Sequence, residues 1–147
     1  MARKRTAARH KVARTRNGGR WTEAEYFSRL RSAIRRAFSH WEPANKALRL
    51  AKVRVETVPP DLRPRGLSRQ TQFLYRCAIC GDYFQEKQVQ RDHIIAAGPL
   101  RSLEDLPGFV ERLTQESPDA FQVLCHGCHK EKTEDDRRAM RANRAKA

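Results

Sequence analysis

Two pairs of cysteines give this sequence its clearest chemical signal. Each pair encloses two residues, in Cys77-Ala78-Ile79-Cys80 and in Cys125-His126-Gly127-Cys128. A tight turn with this spacing presents both sulfurs to one ion, and two such turns complete the tetrahedral shell that zinc prefers. We therefore predict one structural zinc ion bound by four thiolates: Cys77, Cys80, Cys125 and Cys128. A full shell of four thiolates leaves no open position for water on this metal.

A second group of side chains with metal and acid–base chemistry adjoins the cysteines. Asp92 and His93 lie on a predicted strand over residues 88–95, and His129 directly follows Cys128. Because each cysteine pair adjoins one of these two regions, the zinc is expected to bring the three side chains together. A carboxylate and an imidazole can bind a divalent cation, and a second imidazole can act as a general base. Neighbouring strand residues point to opposite faces, so a shared site requires the strand to end or bend at His93.

These motifs occur in the order Cys77-Ala78-Ile79-Cys80-Gly81, Asp92-His93-Ile94-Ile95 and Leu124 to Thr133. Over about residues 70–137 the sequence resembles the HNH endonuclease family, in particular its zinc-containing, phage-type members. The resemblance implies an α+β chain with a small ββα-metal (HNH) nuclease module, held by the four-cysteine zinc site. An α-helical basic N-terminal region would precede this module, and an inserted helical segment would separate its two strands.

The resemblance also implies an activity and roles for single residues. The family cleaves DNA phosphodiester bonds with a divalent metal. His93 would be the general base that activates water, and Asp92 and His129 would bind the catalytic Mg²⁺, Mn²⁺ or another divalent ion. That ion would stabilise the charge on the phosphate and on the leaving 3′ oxygen. Lys132 would lie near phosphate.

The sequence departs from the family at one position. An asparagine often stands just before the second strand and helps to orient the base histidine, but Ala120 occupies that position here. Either a backbone carbonyl or Asp119 could hold the histidine instead. The departure therefore affects the expected efficiency of catalysis more than the fold.

The charge balance indicates a polyanionic partner. Lys and Arg number 31 against 17 Asp and Glu, a net charge of +14. Proteins this basic most often bind nucleic acid, and a surface kept charged for solubility is the alternative. The charge is uneven, since residues 77–136 hold twelve acidic and six basic side chains. Double-stranded DNA is the expected partner, with contacts from Arg3, Lys4, Arg5, Arg29, Arg35, Arg36 and Lys132.

The chain divides into five predicted segments. Thr22 and Glu25 form a capping-box pattern that starts a helix reaching about His40, and Pro43 suits the first turn of a second helix. From His126 onward no residue interrupts a helical pattern. The segments are a disordered basic arm (1–20), a helical basic region (21–58), a linker (59–69), the nuclease module (70–137) and a basic C-terminal helix or tail (138–147).

Length and composition exclude several classes of protein. A chain of 147 residues suits one domain with extensions, and it has no apolar run of about 18 residues that would predict a membrane span. No secretory signal is evident, so we expect a prokaryotic or phage-infected host cytoplasm. Two alternatives to the nuclease remain: a weak or inactive zinc-dependent DNA-binding or packaging-associated protein, and an RNA- or ribosome-associated protein. The presence of Asp92, His93 and His129 together favours the enzyme.

Overall fold

The computed structural model describes residues 12–146, so the arm residues Arg3, Lys4 and Arg5 lie outside the described part. Within it the chain mixes four α-helices with seven short strands. The helices are α1 (Glu23–Ala37), α2 (Glu42–Leu50), α3 (Leu106–Leu113) and α4 (His126–Lys146). The strands are β1 (Arg14–Arg16), β2 (Trp21–Thr22), β3 (Lys52–Arg54), β4 (Phe73–Arg76), β5 (Tyr83–Phe84), β6 (Val89–His93) and β7 (Phe121–Cys125). None of these helices combines the length and apolar character that crossing a membrane requires.

Helix α1 starts as the sequence predicts. The Thr22 hydroxyl accepts a hydrogen bond from the Glu25 backbone N–H at 3.1 Å, and the Glu25 carboxylate accepts one from the Thr22 N–H at 2.7 Å. This reciprocal capping box satisfies two backbone donors that the first turn leaves free. The helix ends three residues before His40, because the chain turns Trp41 inward. Its indole N–H donates to the carbonyl of Gln115 at 2.8 Å.

Residues 14–22 form a β-hairpin, which corrects the disordered arm predicted through residue 20. Strands β1 and β2 pair in antiparallel fashion around Asn17, Gly18 and Gly19, all of which have positive φ. The Arg16 guanidinium forms an ion pair with Glu23 at 2.7 Å and lies 4.7 Å from the centre of the Tyr26 ring. These contacts hold the hairpin against the first turn of α1.

Two antiparallel sheets position the remaining elements. Strand β4 pairs with β3 on one side and with β5 on the other, so strands before and after the predicted linker share one sheet. Strands β6 and β7 form the second sheet, in which Asp92 is opposite Gln122 and His93 is opposite Phe121. Helix α4 follows β7 directly at His126, which gives the order strand, strand, helix at the C-terminal end.

The loop between β6 and α3 is fixed by Arg112. Its Nε–H donates to the carbonyl of Ala97 at 2.9 Å, and its guanidinium lies against Gly98 and Gly108. Gly98 has a φ of +84°, and a Cβ at this position would lie 3.3 Å from Arg112 Nη2. The backbone conformation therefore favours glycine here, and a Cβ would also crowd the arginine. The loop packs with α1 and α3 around the buried side chain of Phe109.

Candidate functional site

The four cysteines come together, as predicted. One potential ligand atom from each lies within 4.8 Å of the others, close enough for one metal ion: Cys77, Cys80, Cys125 and Cys128. The first pair occupies the turn between β4 and β5, while the second pair spans the end of β7 and the first turn of α4. A backbone hydrogen bond from Ala78 N–H to Val123 O, at 2.8 Å, joins the two regions. The donor set and the spacing fit a structural zinc.

The thiols of this cluster differ in how readily they ionise. Burial of Cys77 opposes its ionisation, but backbone N–H groups of Cys125, Cys80 and Ile79 donate to its sulfur and lower its pKa to about 7. A hydrogen bond with the sulfur of Cys125, together with burial and the other sulfurs, raises the pKa of Cys128 to about 12. Four adjacent thiolates repel one another, so a divalent cation is needed to displace the remaining protons.

The second predicted group also converges. Strand β6 ends at His93, and the bend that follows allows the neighbouring residues Asp92 and His93 to line one groove with His129. The groove has a volume of about 540 Å³. The strand end therefore resolves the difficulty that successive strand residues face opposite sides.

Asp92 has one carboxylate oxygen held by the protein and one directed at His129. Its Oδ2 accepts a hydrogen bond from Gln122 Nε2 at 3.0 Å and lies 3.2 Å from Lys132 Nζ. Its Oδ1 lies 3.6 Å from His129 Nε2, which is longer than a hydrogen bond. Two ligand atoms that each lie roughly 2.1 Å from one metal ion are about 3.0–3.4 Å from each other. Asp92 Oδ1 and His129 Nε2 could therefore share a cation after a small movement of either side chain.

Asp92 and His129 supply only two donors. Across residues 12–146, the cysteine cluster is the one group of three or more His, Cys, Asp or Glu side chains within reach of a single ion. A cation on this pair would therefore keep most of its positions for water and phosphate oxygens.

Lys132 contacts the site residues Asp92 and His93 with its ammonium group. Its Nζ donates to the carbonyl of His93 at 3.0 Å and to Asp136 at 2.9 Å, and it also pairs with Asp92. Burial alone lowers the pKa of Lys132, but the hydrogen bonds with Asp136 and Asp92 outweigh this effect and raise it. The sequence placed Lys132 near phosphate, whereas the structure has it joining α4 to the end of β6.

His93 is oriented by a backbone carbonyl, one of the two alternatives that the sequence left open. Its Nε2 lies 2.9 Å from the carbonyl oxygen of Leu113. Its ring packs against the ring of Phe121, with the two ring centres 4.7 Å apart. Because a carbonyl only accepts, Nε2 carries the proton and Nδ1 keeps a free lone pair. Ala120, at the position where the family often has asparagine, packs instead against an apolar cluster that contains Phe121 and Ala44 of α2.

The arginines predicted to bind DNA have different positions. Arg35 lines the groove, with its guanidinium 5.5 Å from the centre of the Phe109 ring. The guanidinium carbon of Arg29 lies 4.4 Å from the centre of the Trp21 ring, and Arg36 is exposed on α1. Neither of these two arginines lines the groove.

Three further arginines line the groove and were missed in the sequence: Arg31, Arg101 and Arg137. Helical spacing could have identified Arg31, which lies four residues before Arg35 and so shares its face of α1. The same helical periodicity applies to Arg137, which lies eight residues after His129 on one face of α4, whereas Arg101 reaches the groove only through tertiary packing.

The site therefore combines a two-donor cation position, an imidazole held by a carbonyl and a rim of arginines. No match was found when the sequence was compared with models of known protein families and with curated proteins, or when the fold was compared with solved structures. The function must accordingly be argued from the residues of the groove.

Proposed function

We propose that this protein is a metal-dependent endonuclease of the HNH type that hydrolyses DNA phosphodiester bonds. The observation that carries the proposal is the convergence of Asp92, His93 and His129 in one groove rimmed by arginines. A carboxylate, two imidazoles and guanidinium groups are the side chains that phosphodiester hydrolysis uses for cation binding, proton transfer and phosphate binding.

In this proposal His93 is the general base. The Leu113 carbonyl holds the proton on Nε2, so Nδ1 is free to take a proton from the attacking water. General-base assistance of this kind contributes roughly 10²–10⁴-fold to the rate. Asp92 and His129 would hold a divalent ion such as Mg²⁺ or Mn²⁺, which supplies stabilisation of the charge on the phosphate and on the leaving 3′ oxygen.

The remaining residues of the site act through position. Lys132 and Gln122 bind the same oxygen of Asp92, which leaves the other oxygen facing His129. The cysteine cluster, with zinc bound, would fix the first turn of α4 against β7 and thereby place His129 beside β6. Zinc therefore has a structural role in the proposal and takes no part in proton transfer.

The test is cleavage of supercoiled plasmid with and without added Mg²⁺ or Mn²⁺. The substitution His93→Ala is expected to slow nicking at least about 100-fold while affinity for DNA remains unchanged. His126→Ala is the matched control, because His126 is an exposed histidine outside the groove. Nicking by His93→Ala at the wild-type rate, or nicking by the wild type that is independent of added metal, would refute the proposal.

A second candidate is a zinc-dependent DNA-binding or packaging-associated protein whose nuclease site is weak or inactive. The observation that favours it is the ion pair between Lys132 and Asp92 at 3.2 Å, because an ammonium group beside this carboxylate competes with a metal ion for it. In this case the wild type binds duplex DNA but leaves plasmid intact with every divalent ion tested.

A further inference from the structure

Four arginines from separate parts of the chain line the groove around Asp92 and His93. Two belong to α1, one to the loop before α3 and one to α4: Arg31, Arg35, Arg101 and Arg137. The fold thus assembles a positively charged rim that no single segment of the sequence carries. Helix α1 forms one wall of the groove, although it ends well before the cysteine motifs begin in the sequence.

The groove arginines are not neutralised by carboxylates, in contrast to four arginines elsewhere in the described residues. Within residues 12–146, none of their four guanidinium groups makes a hydrogen bond or an ion pair with a carboxylate. Four arginines outside the groove each pair with Asp or Glu: Arg16, Arg49, Arg54 and Arg138. The rim therefore keeps its donors and its charge available for a ligand.

The carboxylates of the groove offset only part of the charge of this rim. Asp92 and Asp136 are both bound to Lys132, so these three groups together carry one net negative charge against the four positive charges of the arginines. Arg35 is partly withdrawn from water, and this burial together with the neighbouring charge of Arg31 lowers its pKa. Cations crowded in this way are stabilised when an anion binds between them.

We propose that these four arginines form the surface on which the phosphate backbone of duplex DNA lies. The planar fork of a guanidinium matches the oxygens of a phosphate and can bind them in bidentate fashion. The inference rests on the proposed function for the nature of the ligand, but it requires neither the catalytic ion nor proton transfer. It assigns binding to Arg31 and Arg137, and not to Arg36, which lies on α1 outside the groove.

The test compares two double variants that lose the same charge from the same two helices. The groove double variant truncates two arginines that line the groove, Arg31→Ala and Arg137→Ala. The control double variant truncates one arginine on each of the same helices outside the groove, Arg36→Ala and Arg138→Ala. Arg35 is left unchanged because it packs over Phe109. Binding of a short fluorescein-labelled DNA duplex is measured by fluorescence anisotropy, without added divalent metal, over a series of salt concentrations.

The groove double variant is expected to bind DNA at least about tenfold more weakly than the wild type. The slope of log K against log salt concentration should also be smaller in magnitude by about 2, because each phosphate contact contributes about 0.9 to it. The control double variant should stay within about threefold, because charges outside the contact surface contribute only through screened, long-range attraction. Circular dichroism verifies that both variants are folded, and the corresponding glutamine variants replace any that is not. Equal weakening of the two double variants, or wild-type binding by the groove variant, would overturn the inference.

Cleavage and binding are scored separately, so the two proposals can fail independently. If the wild type leaves plasmid intact and the groove double variant loses affinity, the nuclease proposal fails and the groove assignment holds. If the wild type cleaves and the groove double variant binds normally, the groove assignment fails and the nuclease proposal holds.

Discussion

Removal of the metal from the cysteine cluster is expected to destabilise this protein by at least ~4 kcal/mol. The cluster joins Cys77 and Cys125, which are 48 residues apart in sequence. A cross-link that closes a loop of this length lowers the entropy of the unfolded chain by an amount equivalent to ~4 kcal/mol at 25 °C. The metal–thiolate bonds add to this minimum. Since domains of this size have total stabilities of about 5–15 kcal/mol, the loss is a large share of the whole.

The packing of the chain offers little compensation for that loss. Most of the buried side chains of residues 12–146 fall into four small clusters, and one of these consists of Cys77, Leu124 and Cys125. At about 2–4 °C per kcal/mol for a chain of this length, 4 kcal/mol corresponds to a fall of roughly 8–16 °C in Tm. Loss of the metal should therefore be visible in a simple thermal unfolding experiment.

The assay is thermal unfolding followed by circular dichroism before and after treatment with a chelator, with metal content determined by mass spectrometry. Cys80→Ser should lower Tm even when zinc is supplied, because it removes one ligand. Ile79→Ser is the matched control, since Ile79 is 55% exposed in the same turn and carries no ligand atom. A protein that purifies without stoichiometric metal, or whose Tm changes by less than about 3 °C after verified removal, would refute the reasoning.

Three further predictions concern single groups. Lys132→Met removes the cationic partner of Asp92, whose side chain is only 13% exposed, and should reduce the free energy of unfolding in urea by about 1–3 kcal/mol. Gly98→Ala forces a Cβ at φ +84° to within 3.3 Å of Arg112 and should cost about 1–2 kcal/mol in the same assay. The raised pKa of Cys128, about 12, means that metal uptake releases its proton. Zinc affinity in competition titrations should therefore fall at least about tenfold per pH unit as the pH is lowered.

The first two of these have a control within the chain. Lys130→Met alters an exposed lysine on the same helix, and equal destabilisation by the two lysine variants would show that the contact with Asp92 contributes nothing. Gly66 also has positive φ, +72°, but nothing lies within 4 Å of a Cβ there. Gly66→Ala carries the same backbone cost of about 1–2 kcal/mol, so any excess at Gly98 measures the contact with Arg112, and equal costs would show that this contact contributes nothing. Zinc affinity that does not change with pH would contradict the assignment of a proton to Cys128.

Features encoded by neighbouring residues could be predicted from the sequence. The capping box of Thr22 and Glu25 needs only a spacing of three residues, and each cysteine turn needs only two intervening positions. The convergence of Asp92, His93 and His129 followed from the adjacency of these residues to the cysteine motifs. In each case the sequence contained both partners of the interaction within a few positions, or an evident connection between them.

Features that depend on distant partners could not be predicted. The hairpin at residues 14–22 is ordered because Arg16 finds Glu23 and Tyr26 on α1, and composition alone predicted disorder there. Asp136 lies one turn after Lys132 on α4, but the contacts of Lys132 with Asp92 and with the His93 carbonyl arise only when α4 docks against β6. The charge pattern indicated basic flanks, but it could not distinguish the arginines that line the groove from those elsewhere on the same helix.

The pairing of β3 with β4 affects how the chain can be divided. Val53 pairs with Leu74 across the predicted linker, and Ala44 and Ala47 of α2 cover Phe121 beside His93. A fragment consisting of residues 70–137 alone would expose the edge of β4 and the apolar surface beneath α2. The segment that carries the cysteine and histidine motifs is therefore not an autonomous, transplantable unit. Its folded unit also includes α2 and β3, which precede it in sequence.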